Sequence, residues 1–106
     1  MKEIKAVIQP MRLPRVREAF RQLHDFPGMT VIKAAGSGYH PDKPDAPGIK
    51  TELTDYSAKV RIEIVAEDHQ VDTLVGIIRQ HCHTGRPGDG VVWVTPVDLF
   101  VRIRQP

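Results

Sequence analysis

The sequence predicts an α+β fold, a ferredoxin-like βαββαβ sandwich with a long loop between strands 2 and 3 and a short extra C-terminal strand. Three observations predict it. Alternating apolar and charged residues mark strands near both the start and the middle of the chain. Each such stretch precedes a segment with helical apolar spacing. The order strand–helix–strand then occurs twice within 106 residues, which fits one domain spanning 1–106.

In the first strand, Ile4, Ala6 and Ile8 alternate with Glu3, Lys5 and Val7, and Pro10 closes it. Leu13, Val16, Phe20 and Leu23 then recur at helical spacing, with Arg15, Arg17, Glu18 and Arg21 on the other face. Pro27-Gly28 ends that unit, and the β-rich run Met29 to Ala34 is the second strand. Val60, Ile62 and Ile64 alternate with Lys59, Arg61 and Glu63, giving a third strand with one buried face. Val71, Leu74, Val75 and Ile78 mark a second amphipathic helix from about Glu67 to His81. Val91 to Val94 is the fourth strand, and Leu99 to Ile103 the short final one.

Composition excludes several classes. Fifteen basic residues face 13 acidic ones, a net charge of +2 with no basic run, so nucleic acid is not an expected partner. Cys82 is the single cysteine, which rules out a disulfide within the chain and suits a reducing compartment. The charged opening Met1-Lys2-Glu3-Ile4-Lys5 has no apolar signal core, and no stretch approaches membrane-spanning length. A cytoplasmic protein is expected.

Three segments stand outside the core pattern. The tract Thr84-Gly85-Arg86-Pro87-Gly88-Asp89-Gly90 places three glycines and an acid between helix and strand. Glycine lets backbone N–H groups approach a ligand, and consecutive N–H groups form an anion nest. Asp89 beside those glycines could equally brace the turn. Arg102 and Arg104 follow, and on a strand they share one face about 7 Å apart. A glycine loop and a basic pair suggest a phosphorylated small molecule as ligand. The third segment, about 36–58, is rich in Gly, Pro and Asp, and loops of that length in small domains are usually functional or disordered. His81-Cys82-His83 does not make a metal site on a helix, because neighbouring side chains diverge. No metal ligands and no catalytic residues are assigned, since no nucleophile–base pair or carboxylate dyad is legible.

These segments also carry a resemblance. Lys2 to Leu23, the run Gly28-Met29-Thr30-Val31, Lys59 to Val65, Thr84 to Gly90 and Arg102-Ile103-Arg104 occur in the order found in PII-type signalling proteins. The likeness covers nearly the whole chain. It implies a non-catalytic homotrimer of ferredoxin-like subunits with adenine nucleotides (ADP, AMP or ATP) in the clefts between subunits. The long loop, called the T-loop in that family, would dock on a protein target such as a transporter or an enzyme. Carried over residue by residue, the nucleotide-binding set is Gly28, Met29, Thr30, Gly36, Ser37, Gly38, Tyr39, Lys59, Val65, Gly88, Asp89, Gly90, Arg102 and Arg104. Met29 and Thr30 would line the adenine, Val65 would offer it backbone groups, and Lys59, the glycine loop and the arginine fork would hold phosphate. His40 and Lys59 are candidates for an anion or effector.

The chain also departs from the family pattern. Where the loop base usually reads Gly-x-Gly-Arg-Gln, this chain has Gly36-Ser37-Gly38-Tyr39-His40. The basic residue expected after the glycine loop is Val91, and the modified loop tyrosine has no counterpart. These changes point away from sensing through magnesium-ATP and 2-oxoglutarate. They point toward a divergent PII-like branch, with the carboxysome-associated, bicarbonate-linked proteins favoured. The alternative is a metal-responsive trimer of similar fold, resembling the copper-tolerance family or the metal-efflux-linked PII-like proteins. An acylphosphatase-type enzyme ranks last, because Gln9-Pro10-Met11-Arg12 stands where its glycine-rich loop would follow the first strand.

Overall fold

The computed structural model describes residues 1–37 and 56–104. The elements are β1 (Lys2–Ile8), α1 (Leu13–Arg21), β2 (Thr30–Gly36), β3 (Ser57–Ala66), α2 (Val71–Cys82) and β4 (Gly90–Pro96). The sheet is antiparallel throughout, in the order β2-β3-β1-β4. Both helices lie on one face, which is the ferredoxin-like arrangement the alternating pattern predicts.

Period-two burial organises the sheet. Ile4, Ala6 and Ile8 of β1 and Val60, Ile62, Ile64 and Ala66 of β3 point under the helices and are buried. Val16 and Phe20 of α1 and Leu74, Ile78 and Cys82 of α2 close the core from above. Phe20 stacks on Phe26, with ring centroids 4.6 Å apart and planes 17° from parallel, so the chain leaving α1 stays on the core. The opposite face of the sheet is polar along its middle, where Lys5 pairs with Glu3 at 3.3 Å and Arg61 Nε lies 3.2 Å from Glu63.

A single 3₁₀ turn leads into each helix, so α2 begins after the expected start near Glu67, while α1 begins at Leu13 as its spacing predicts. Pro10–Arg12 forms the first, consistent with a proline that cannot donate to the strand ladder. Asp68–Gln70 forms the second. Glu67 and Gln70 cap it reciprocally, the Glu67 N–H donating to Gln70 Oε1 at 3.0 Å.

The extra C-terminal strand expected at Leu99 to Ile103 is not formed. The last sheet-linked bond is from the Val97 N–H to the Met1 carbonyl at 3.1 Å, and the chain then leaves β4. A strand needs a neighbouring backbone to accept its bonds, and this run finds none among the described residues. Leu99, Val101 and Ile103 are exposed as a result. The spacing argument that put Arg102 and Arg104 on one strand face therefore does not apply within the single chain.

Candidate functional site

Sheet register sorts the expected ligand residues into two clusters at opposite ends of the sheet. At the first end, Ile8 is paired with both Val60 and Gly90, and Gly36 with Ser57. Lys59, Gly36, Ser37 and the Gly88-Asp89-Gly90 turn therefore share this end. The Lys59 ammonium donates to the Gly88 carbonyl at 3.2 Å, and the Gln9 amide donates to the same oxygen at 3.1 Å. The Ser57 hydroxyl reaches the Gly36 carbonyl at 3.4 Å. A methyl group on Gly36 would stand 3.2 Å from Lys59 Cγ, so the lysine stem lies directly over the point where the chain departs into the long loop.

The glycine turn is held by its own acid. Asp89 accepts from the Thr84 N–H at 2.7 Å, the Gly85 N–H at 3.1 Å and the Thr84 hydroxyl. The Arg86 N–H closes the turn on Thr84 Oγ1 at 3.2 Å. These donors, the Thr84 hydroxyl first, hold the Asp89 carboxyl below the usual carboxylate range. The His83 imidazole stands 3.7 Å from the same carboxylate. Because the hydroxyl proton of Thr84 points at Asp89 and not at His83, the trio is a brace and not a nucleophile–base relay. Of the two readings the sequence left open for the Asp89 side chain, the structure favours the bracing one.

Glycine is required at two of these positions for different reasons. Gly88 has φ of 93°, where its amide plane can turn toward a ligand. Gly90 has φ of 114°, and a Cβ there would sit 2.0 Å from the Val7 carbonyl oxygen, so β4 can start beside β1 only without a side chain.

At the other end, Gly28, Met29, Thr30, Val65 and Arg102 line one cavity of about 240 Å³, together with Glu63 and Phe100. It opens beside a larger groove that also holds Val65, Phe100 and Arg102. The Arg102 guanidinium lies 5.2 Å from the centre of the Phe100 ring, a cation–π distance, and both residues line the cavity. Arg104 is exposed and does not line the cavity. Gly38, Tyr39 and His40 lie outside the described residues.

Lys59 and Val65 are separated by six residues of β3, on the order of 20 Å. One chain therefore does not bring Arg102 to the glycine loop. Sequence reasoning missed Gln9, Glu63 and Phe100. Period two places Glu63 on the same open face as Lys59 and Val65, which was a usable signal. Gln9 carries no motif.

His81-Cys82-His83 does not converge. Cys82 is buried as the last core residue of α2, and burial pushes its thiol pKa up. His83 has already left the helix. Among the described residues, no group of three or more His, Cys, Asp or Glu side chains is placed to hold a metal ion. No helix among them is long and apolar enough to cross a membrane.

A ferredoxin-like sheet here carries a braced glycine loop, a lysine packed beside Gly36 and an arginine-lined cleft. The chain belongs to the nitrogen regulatory protein P-II family, whose pattern it matches over residues 1–106. It is 40% identical over 104 residues to the nitrogen regulatory protein P-II of Azospirillum brasilense. Identity to the proteins of the same name from Bradyrhizobium diazoefficiens and Rhodospirillum rubrum is 36%. Each comparison covers 98% of this chain and 92% of the relative. Membership of this family carries a regulatory role.

Proposed function

We propose that this protein is a non-catalytic homotrimeric regulator that binds adenine nucleotide in clefts between subunits and signals through the loop at about 36–58. The observation that carries the reading is the division of the ligand set. Lys59 and the glycine loop occupy one end of the sheet, and Gly28, Met29, Thr30, Val65 and Arg102 the other. Two copies placed side by side can join one cluster from each into a complete cleft, with the adenine on the apolar half and the phosphates on the lysine and the N–H groups of the loop.

The unsatisfied surface supports the same arrangement. Leu99, Phe100, Val101, Ile103 and Trp93 are exposed large apolar residues, and such groupings mark interaction surfaces. A neighbouring subunit would supply the strand partner that Leu99 to Ile103 lacks, and that pairing would bring Arg104 to the face of Arg102. The ammonium of Lys59 links ligand to loop, because its stem lies against Gly36. A protein target, a transporter or an enzyme, would read the loop.

Tyr39 and His40 replace the arginine and glutamine of the usual loop base. ADP or AMP should therefore compete well with ATP, and bicarbonate is the effector we assign in place of 2-oxoglutarate. Calorimetry with ATP, ADP, AMP and cyclic AMP tests this, each titrated alone, with bicarbonate and with 2-oxoglutarate plus magnesium. Binding of ADP without enhancement of ATP binding by 2-oxoglutarate is the expected result. Absence of binding by every adenine nucleotide would overturn the proposal.

A further inference from the structure

We infer that Gln9 is a positioning residue of the ligand site, holding the Gly88 carbonyl so that the glycine loop keeps its shape when phosphate draws the Lys59 ammonium away. The inference rests on the nucleotide reading above and concerns a residue outside the set that reading names. The Gly88 carbonyl receives two donors, Lys59 Nζ at 3.2 Å and Gln9 Nε2 at 3.1 Å. A carbonyl oxygen has two lone pairs and accommodates both.

The two donors are not equivalent. A phosphate entering the cleft competes for the ammonium, and a charge-assisted bond to phosphate is stronger than one to a neutral carbonyl. The Gln9 amide is neutral and has no such incentive to leave. Its backbone is also pinned from both sides. Ile8 before it pairs with Val60 and Gly90, and the Gln9 carbonyl accepts the Arg12 N–H at 3.0 Å.

Gly88 needs the anchor. It has no side chain to pack, its φ is 93°, and the nearest atom to its missing Cβ is Gln9 Nε2 itself at 3.9 Å. Released from both donors, the peptide regains conformational freedom that a ligand must then remove. Gln9 thus keeps the loop organised in both the empty and the occupied site.

The test has a ligand-free arm and a ligand-bound arm. In the ligand-free protein, hydrogen exchange across residues 84–90 should be faster in Gln9→Ala and in Gln9→Glu, which keeps the size but loses the donor. The acceleration from Gln9→Ala should be larger in a Lys59→Ala background than in the wild-type background, because the two donors back each other up. In the bound arm, ADP and ATP affinities of Gln9→Ala should each fall about two- to tenfold, the effect of one neutral hydrogen bond.

Unchanged exchange across 84–90 in both Gln9 variants would overturn the inference, whatever the nucleotide results. A loss that grows from AMP to ATP would also overturn it, since Gln9 would then be touching phosphate and not positioning the loop. If the wild-type protein binds no nucleotide, the functional proposal fails alone, because the exchange arm does not depend on it.

Discussion

Asp89 shows how a single residue can look like site chemistry and serve as structure. Its carboxylate is taken up by Thr84 and Gly85, and these bonds lower its pKa in the folded state. In the unfolded chain an aspartate titrates near 3.9. The folded group therefore stabilises the protein at pH values above that, and the contribution is lost as pH falls through the lower folded pKa. Asp89→Asn should melt a few degrees below wild type at pH 7, and the gap should close below about pH 4. Thermal melts across pH 3–7 check this, and a gap that does not change with pH would count against the brace. Gly90 gives a sharper contrast. Gly90→Ala meets the Val7 carbonyl at 2.0 Å and should cost at least about 3 kcal/mol or abolish folding. Gly85→Ala, with φ of 80° but open space around the new methyl group, should cost about 1–2 kcal/mol. Denaturant titration of both variants separates steric collision from backbone strain alone.

Among the elements, what the sequence could reveal divides along a physical line. The strands were legible because one face of each inner strand is buried, and burial imposes period two on Ile4, Ala6 and Ile8 and on Val60, Ile62 and Ile64. The start of α2 falls after the expected Glu67 because a 3₁₀ turn carries the same composition as a first α-helical turn, whereas α1 starts at Leu13 as its spacing predicts. Leu99 to Ile103 has the alternation of a strand, yet a strand is a property of two backbones, and alternation says nothing of the partner's location. The same limit applied to the site. Motif order placed Lys59, the glycine loop and Arg102 in one list, but the fold puts Lys59 at one end of β3 and Arg102 in the cavity with Val65 toward the other. In the proposed function, the root of the long loop is the element where ligand and signal would meet. Gly36→Ala places a methyl group 3.2 Å from Lys59 Cγ and must displace that stem. It should weaken ADP binding about threefold to thirtyfold, roughly 0.7–2 kcal/mol, with little change in melting temperature. It should also reduce the nucleotide-dependent change in hydrogen exchange across residues 36–58. Such a change can be no larger than the ligand's differential affinity for two loop states. Unchanged exchange in the wild-type protein while ADP demonstrably binds would leave a passive binding module.

For the whole molecule, the decisive question is whether a cleft draws on one chain or two. A single chain keeps Lys59 and Arg102 on the order of 20 Å apart, too far for both to hold one phosphate chain by direct contact. Lys59→Ala and Arg102→Ala should each weaken ADP binding by about 1–3 kcal/mol in the homogeneous protein, as expected for losing a charge-assisted bond. The two variants should complement one another when mixed. Where an Arg102→Ala subunit presents its intact Lys59 to a Lys59→Ala subunit with its intact Arg102, the cleft between them has both groups. Co-refolded mixtures should therefore recover a fraction of sites with wild-type affinity, and the Lys59→Ala, Arg102→Ala double variant mixed with neither partner should recover none. Calorimetric titration of the mixed protein reads that fraction directly as binding stoichiometry. A mixture that binds only as weakly as its two parents would mean that the clusters work separately within one chain, and the shared-cleft trimer would have to be given up.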